Sequence, residues 1–139
     1  MFAVRTKFVT KTEVVLRTVY TALEKGLAVI GPTQVAEELG VSKSTAQKML
    51  NELSKAGYGV YVPKKGLVLN ERGKMEARAA VRMHRLIECL LADLGVEDFC
   101  KEAEKIGMVA GSSLVDALEA RYGDREFCPC GKRIPEVKK

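Results

Sequence analysis

The sequence predicts a mainly α-helical fold with one small β-hairpin, and three observations lead to it. Apolar residues recur at helical spacing in six separate segments, and Gly, Pro, Ser, Thr and Asn punctuate the boundaries between them. One stretch alone, 59–69 (GVYVPKKGLVL), is rich in β-formers around a Pro/Gly turn. No run of about 18 apolar residues exists, so nothing is expected to span a membrane.

Each element has its own local reason. Thr12 or Thr10 can cap a first helix that runs to about Lys25, with Val15, Leu16, Val19, Tyr20 and Leu23 at helical spacing and Gly26 as its stop. A short apolar run, 27–30, precedes the Gly31-Pro32 break. Thr33 caps a second helix that turns Val35, Ala36 and Leu39 inward, and Gly40 supplies a tight turn plugged by Val41. Ser42 caps a third helix, where Ala46, Met49, Leu50 and Leu53 fall at i, i+3, i+4 and i+7. Runs 60–62 and 67–69 flank the turn containing Pro63 and Gly66. Asn70 then caps a long helix to about Leu94, stopped by Gly95. Two further helices are predicted over 97–108 and 113–122, followed by an irregular, exposed tail, GDREFCPCGKRIPEVKK.

Two helices joined by a tight turn and followed by a hairpin form a winged helix-turn-helix, predicted over residues 1–69. Residues 70–139 then form a helical dimerisation and sensing domain. Charge supports the division. Residues 1–69 carry 10 Lys/Arg and 5 Asp/Glu, whereas residues 70–139 carry 13 of each, so the whole net charge of +5 sits in the first half. A phosphate backbone needs such a half, because each neutralised phosphate releases a condensed counterion. On the third helix, Ser42, Ser44, Thr45, Gln47 and Lys48 are placed to face bases, while Lys43 and the wing-tip Lys64 and Lys65 are placed to face phosphates. The expected partner is double-stranded DNA. The alternative is a winged-helix adaptor that binds protein and uses its Cys-rich tail for assembly or redox. No nucleophile–base pair or glycine-rich phosphate loop supports an enzyme.

The start, MFAVRTKFVTKTEVV, lacks an uninterrupted apolar core and a small-residue cleavage site, so it does not read as a signal peptide and the protein is expected in the cytoplasm. There, Cys89, Cys100, Cys128 and Cys130 suit metal binding or redox sensing better than structural disulfides. The Leu86 and Leu90 flanks of Cys89 suggest a core position. Arg125, Lys132 and Arg133 are expected to lower the thiol pKa values of Cys128 and Cys130.

The order of motifs is TEVVLRTVY, TQVAEELGVSKSTAQKML, GLVLNERG, RMHRLIECLLADLG and CPCGKRIP. It resembles the DtxR/MntR family of metal-dependent transcriptional repressors over nearly the whole chain. The resemblance implies a homodimer on a palindromic operator and a helical domain that both binds metal and dimerises. Some members add an SH3-like domain, for which these 139 residues leave no room.

The family's main metal ligands do not carry over. Val14 stands where an acid or Met ligates, Arg17 where some members have a second acid, and Gly107 and Met108 replace a Glu-His pair. Glu104 keeps its place. The family's ancillary set survives in part: His84 and Glu88 match its His and Glu, Cys100 replaces another His, and the tail reads Cys128-Pro-Cys130-Gly where C-P-H-G is common. His84/Glu88 and Cys100/Glu104 are each i, i+4 on a helix, so the two pairs could face one ion, with Cys128 and Cys130 folding back to join them. Such donors suit zinc or iron(II). Two other chemistries stay open: an iron–sulfur cluster, which within one chain would use Cys89, Cys100, Cys128 and Cys130, and thiol oxidation without metal.

Overall fold

The computed structural model describes residues 14–137, which form two compact units dividing between Arg78 and Ala79. The expected caps at Thr10 and Thr12 lie outside the described residues. Helix α1 occupies residues 14–24 and buries Val15, Leu16 and Val19; its Thr18 and Thr21 hydroxyls donate to the carbonyls of Val14 and Arg17. Helix α2 is Pro32–Leu39. Its cap is Gly31 rather than Thr33, because proline is preorganised for the first helical position and the Gly31 N–H is taken by Gln34 Oε1 at 2.8 Å. Gly40, in the left-handed region at φ 67°, turns the chain into α3, Lys43–Lys55. Ser42 caps α3 as expected, its Oγ accepting the Thr45 N–H at 3.1 Å.

Strands β1, Gly59–Val62, and β2, Gly66–Leu69, pair antiparallel with Val62 opposite Gly66. The Lys65 N–H donates to the Val62 carbonyl at 3.0 Å, which closes a turn centred on Pro63 and Lys64. Ile30 adds a bridge on the other edge of β2, exchanging backbone bonds with Leu67 of 3.0 and 2.8 Å. Gly66 is required there: its φ is 137°, and a Cβ would lie 2.1 Å from the Ile30 carbonyl oxygen.

This unit is held by one apolar cluster containing Val19, Ile30, Val35, Ala46, Leu50 and Leu67. Leu50 is fully buried on α3, so Leu50→Ala should cost about 2–5 kcal/mol. Urea unfolding with an unchanged m-value checks this; a change near zero would mean that α3 does not anchor to this core.

Helix α4, Glu71–Asp93, starts where Asn70 Oδ1 accepts the Gly73 N–H at 2.8 Å, and the chain leaves it at Gly95, φ 83°. Helices α5, Phe99–Val109, and α6, Ser112–Tyr122, follow. The second unit's core joins Leu86, Ile87, Cys89, Ala103, Leu118 and Tyr122 to Cys128 and Ile134 of the tail. The tail is irregular, as expected, but it is not a free exposed segment. Cys128 and Ile134 are buried because the tail folds into a small hairpin, with a bridge between Phe127 and Arg133 and an Ile134 N–H bond to the Glu126 carbonyl of 2.8 Å.

Candidate metal centre and nucleic-acid interface

The candidate metal centre lies wholly in the second unit. One helical turn of α4 aligns His84 and Glu88, whose Nε2 and Oε2 are 3.3 Å apart. Cys100 enters from the first turn of α5. Cys130 enters from the tip of the tail hairpin, where Gly131, φ 84°, bends the chain and donates its N–H to the Cys128 carbonyl at 2.8 Å. The two sulfurs, Cys100 Sγ and Cys130 Sγ, are 3.1 Å apart, and Cys130 Sγ is 3.9 Å from Glu88 Oε2. Ligand atoms of Glu88, Cys100 and Cys130 all lie within 4.8 Å of one another.

Glu88 is only 3% exposed. Burial alone would raise its pKa, but hydrogen bonds from His84 and Cys100 outweigh that and hold the carboxyl below its ordinary value. The result is a buried carboxylate aimed at two thiols and an imidazole. The converging donors, two S and one carboxylate O with the His84 imidazole beside Glu88, fit a borderline-soft divalent ion.

Two residues expected at this centre are placed differently. Glu104, one turn along α5 from Cys100, is outside the converging group. Cys128 is 5% exposed and packs in the core; its thiol touches Glu88 but does not share the common cluster. The expected lowering of its pKa is also corrected. Burial pushes the Cys128 thiol up, and the N–H groups of Lys132 and Cys130 that reach its sulfur only partly oppose this. Burial, then Glu88 and Cys130, push the Cys100 thiol up as well.

The four cysteines do not converge among the described residues: Cys89 is fully buried in the core of the second unit and lies outside the group formed by Glu88, Cys100 and Cys130. At Gly107, a position where the family places a ligand, a Cβ would meet Met83 Cε at 3.9 Å and Ile87 Cδ1 at 4.0 Å, an apolar wall.

In the first unit, α3 buries Ala46, Leu50 and Leu53 and exposes Ser42, Lys43, Ser44, Thr45, Gln47 and Lys48. Ser42 is partly committed elsewhere: besides capping, its hydroxyl donates to Thr45 Oγ1 at 2.8 Å. Lys64 and Lys65 are exposed at the hairpin turn. Sequence reasoning missed Arg82 and Arg85, whose contacts with the tail appear only in the folded chain. The available signal was two arginines among the apolar residues of α4.

With this geometry in place, comparison with known proteins identifies the class. The family "Iron dependent repressor, N-terminal DNA binding domain" matches residues 7–67, and "Iron dependent repressor, metal binding and dimerisation domain" matches residues 70–136. The chain belongs to this family of metal-dependent transcriptional repressors, the DtxR/MntR family. It is 37% identical over 75 residues to the HTH-type transcriptional regulator MntR of Bacillus subtilis, covering 54% of this chain and 51% of that protein. The chain thus spans about half the length of the curated relatives it matches. Among solved structures, a manganese-dependent transcriptional repressor in complex with manganese superposes with a TM-score of 0.79 at 27% identity, covering 92% of this chain and 62% of that one. ScaR with bound Zn2+ superposes at 0.71 and 27% identity, covering 90% and 59%. Both the curated relative and the manganese-bound structure are named as transcriptional regulators. Among the described residues no helix is long and apolar enough to cross a membrane.

Proposed function

We propose that this chain is a metal-responsive, DNA-binding transcriptional repressor that works in the cytoplasm as a homodimer on a palindromic operator. The observation that carries the reading is the convergence of Glu88, Cys100 and Cys130 beside His84. When bound, an ion would supply positive charge and Lewis acidity that hold both thiols as thiolates beside the Glu88 carboxylate.

The ion is zinc or iron(II) rather than manganese. Manganese suits oxygen-rich sites, whereas the donors that converge here are two sulfurs and one carboxylate. Here the chain departs from its manganese-named relatives, and the reason is its own residues. Selection of binding sites from a random duplex pool, with zinc or with chelator present, tests the function. A palindromic consensus recovered only with metal supports it; the same consensus in chelator removes the metal response.

In the first unit, α3 enters the major groove and the wing follows the backbone. Lys64→Ala/Lys65→Ala should weaken binding to every duplex alike and flatten the salt dependence by about 0.9 per lost phosphate contact. A salt titration checks this. Loss confined to one DNA sequence would move the wing lysines from phosphates to bases.

A further inference from the structure

We infer that Arg82 and Arg85 are positioning residues of the metal centre: they pin the base of the tail hairpin to α4 and thereby hold Cys130 against Glu88 and Cys100. The inference rests on the metal-binding reading above.

Cys130 sits at an exposed hairpin tip, so its position depends on how the hairpin is anchored. Arg82 is nearly saturated with acceptors. Its Nε and Nη2 make a two-pronged contact with Glu119 of α6, both bonds 2.7 Å. Nη2 also reaches the Gly123 carbonyl at 2.9 Å, and Nη1 reaches the Pro135 carbonyl at 3.0 Å. A single guanidinium therefore ties α4 to the end of α6 and to the tail. Arg85 is buried, and its Nη1 makes a short bond of 2.5 Å to the Arg133 carbonyl.

The two anchored carbonyls, of residues 133 and 135, flank Ile134, which is itself buried and bonded to Glu126. The returning arm of the hairpin is thus fixed at three successive residues, and Cys130 lies three residues before the first of them. Glu88 shares α4 with the two arginines, so the helix that supplies the carboxylate also locates the Cys130 thiol. Only a planar, multi-pronged cation serves here; lysine offers one point charge and cannot reach Glu119, Gly123 and Pro135 together.

The test uses the full chain and cobalt(II) as the probe, because sulfur-to-cobalt charge-transfer absorption scales with the number of bound thiolates. Arg82→Lys and Arg85→Lys are compared with Cys130→Ser and with each arginine variant combined with Cys130→Ser. Expected are a loss of cobalt and zinc affinity of about 10- to 100-fold, the range for residues that orient ligands, and a charge-transfer band reduced toward that of Cys130→Ser. In the Cys130→Ser background the arginine substitutions should have no further effect. General destabilisation would not produce this pattern, and melting of the metal-free variants measures it separately. Should an arginine variant fail to fold, Glu119→Gln, at an exposed residue, loosens the Arg82 anchor and should lower affinity in the same Cys130-dependent way. Unchanged affinity and absorption in the variants overturns the inference alone, as does equal loss with and without Cys130. Failure of the unsubstituted chain to bind cobalt or zinc overturns the metal reading and this inference together.

Discussion

Cys130→Ser should lower zinc affinity at least about 100-fold, because losing a ligand costs more than losing a group that merely orients one, itself worth about 10- to 100-fold. Cys100→Ser should do the same, and the double substitution should leave no tight zinc binding. Both residues are exposed and neither belongs to the apolar core, so the metal-free fold should persist with little change in melting temperature. Cys89 gives the opposite expectation. It is fully buried in the core, and Cys89→Ser should cost stability while leaving one zinc per chain. Competition titration with a chromophoric chelator, paired with thermal melts, separates these behaviours. If Cys130→Ser binds zinc as tightly as the unsubstituted chain, the tail is not part of the centre.

Gln47→Ala/Lys48→Ala should abolish discrimination between the selected operator and random DNA while sparing much of the non-specific binding. Both side chains are exposed on α3, away from the buried Ala46 and Leu50, and both are longer than the exposed Ser44 and Thr45 beside them. A good pair of bonds to a base edge contributes about 1–3 kcal/mol of discrimination, roughly 5- to 150-fold per residue. Ser42 should matter differently: its hydroxyl is spent on the Thr45 N–H and on Thr45 Oγ1, so Ser42→Ala should cost helix stability, about 1 kcal/mol, more than sequence preference. Affinity ratios for operator and scrambled duplex at fixed salt check both. Discrimination retained in the double variant would place recognition on another element.

Much of this fold was legible because its signals are local. The Ser42 cap, the Gly40 turn, the Ala46/Leu50/Leu53 face and the Asn70 cap each act within a few residues, and each appears where the spacing places it. The α2 cap was misplaced by two residues because Pro32 competes with Thr33 as a start signal, and Gln34 completes the cap at Gly31. In the site, His84 and Glu88 were readable as an i, i+4 pair. The role of the tail was less so. Its hairpin depends on the long-range bonds of Arg82 and Arg85 to carbonyls about 50 residues away, and carbonyls leave no mark in a sequence. The same docking buries Cys128, raising a pKa that the cationic residues of the tail were expected to lower.

The most direct test of the central claim is elemental analysis with an absorption spectrum on protein purified anaerobically without chelator. About one zinc or iron per chain without sulfide, lost in the Cys100→Ser/Cys130→Ser variant, is the predicted result. Iron with matching sulfide, or no metal even after reconstitution with zinc and iron(II), would contradict it.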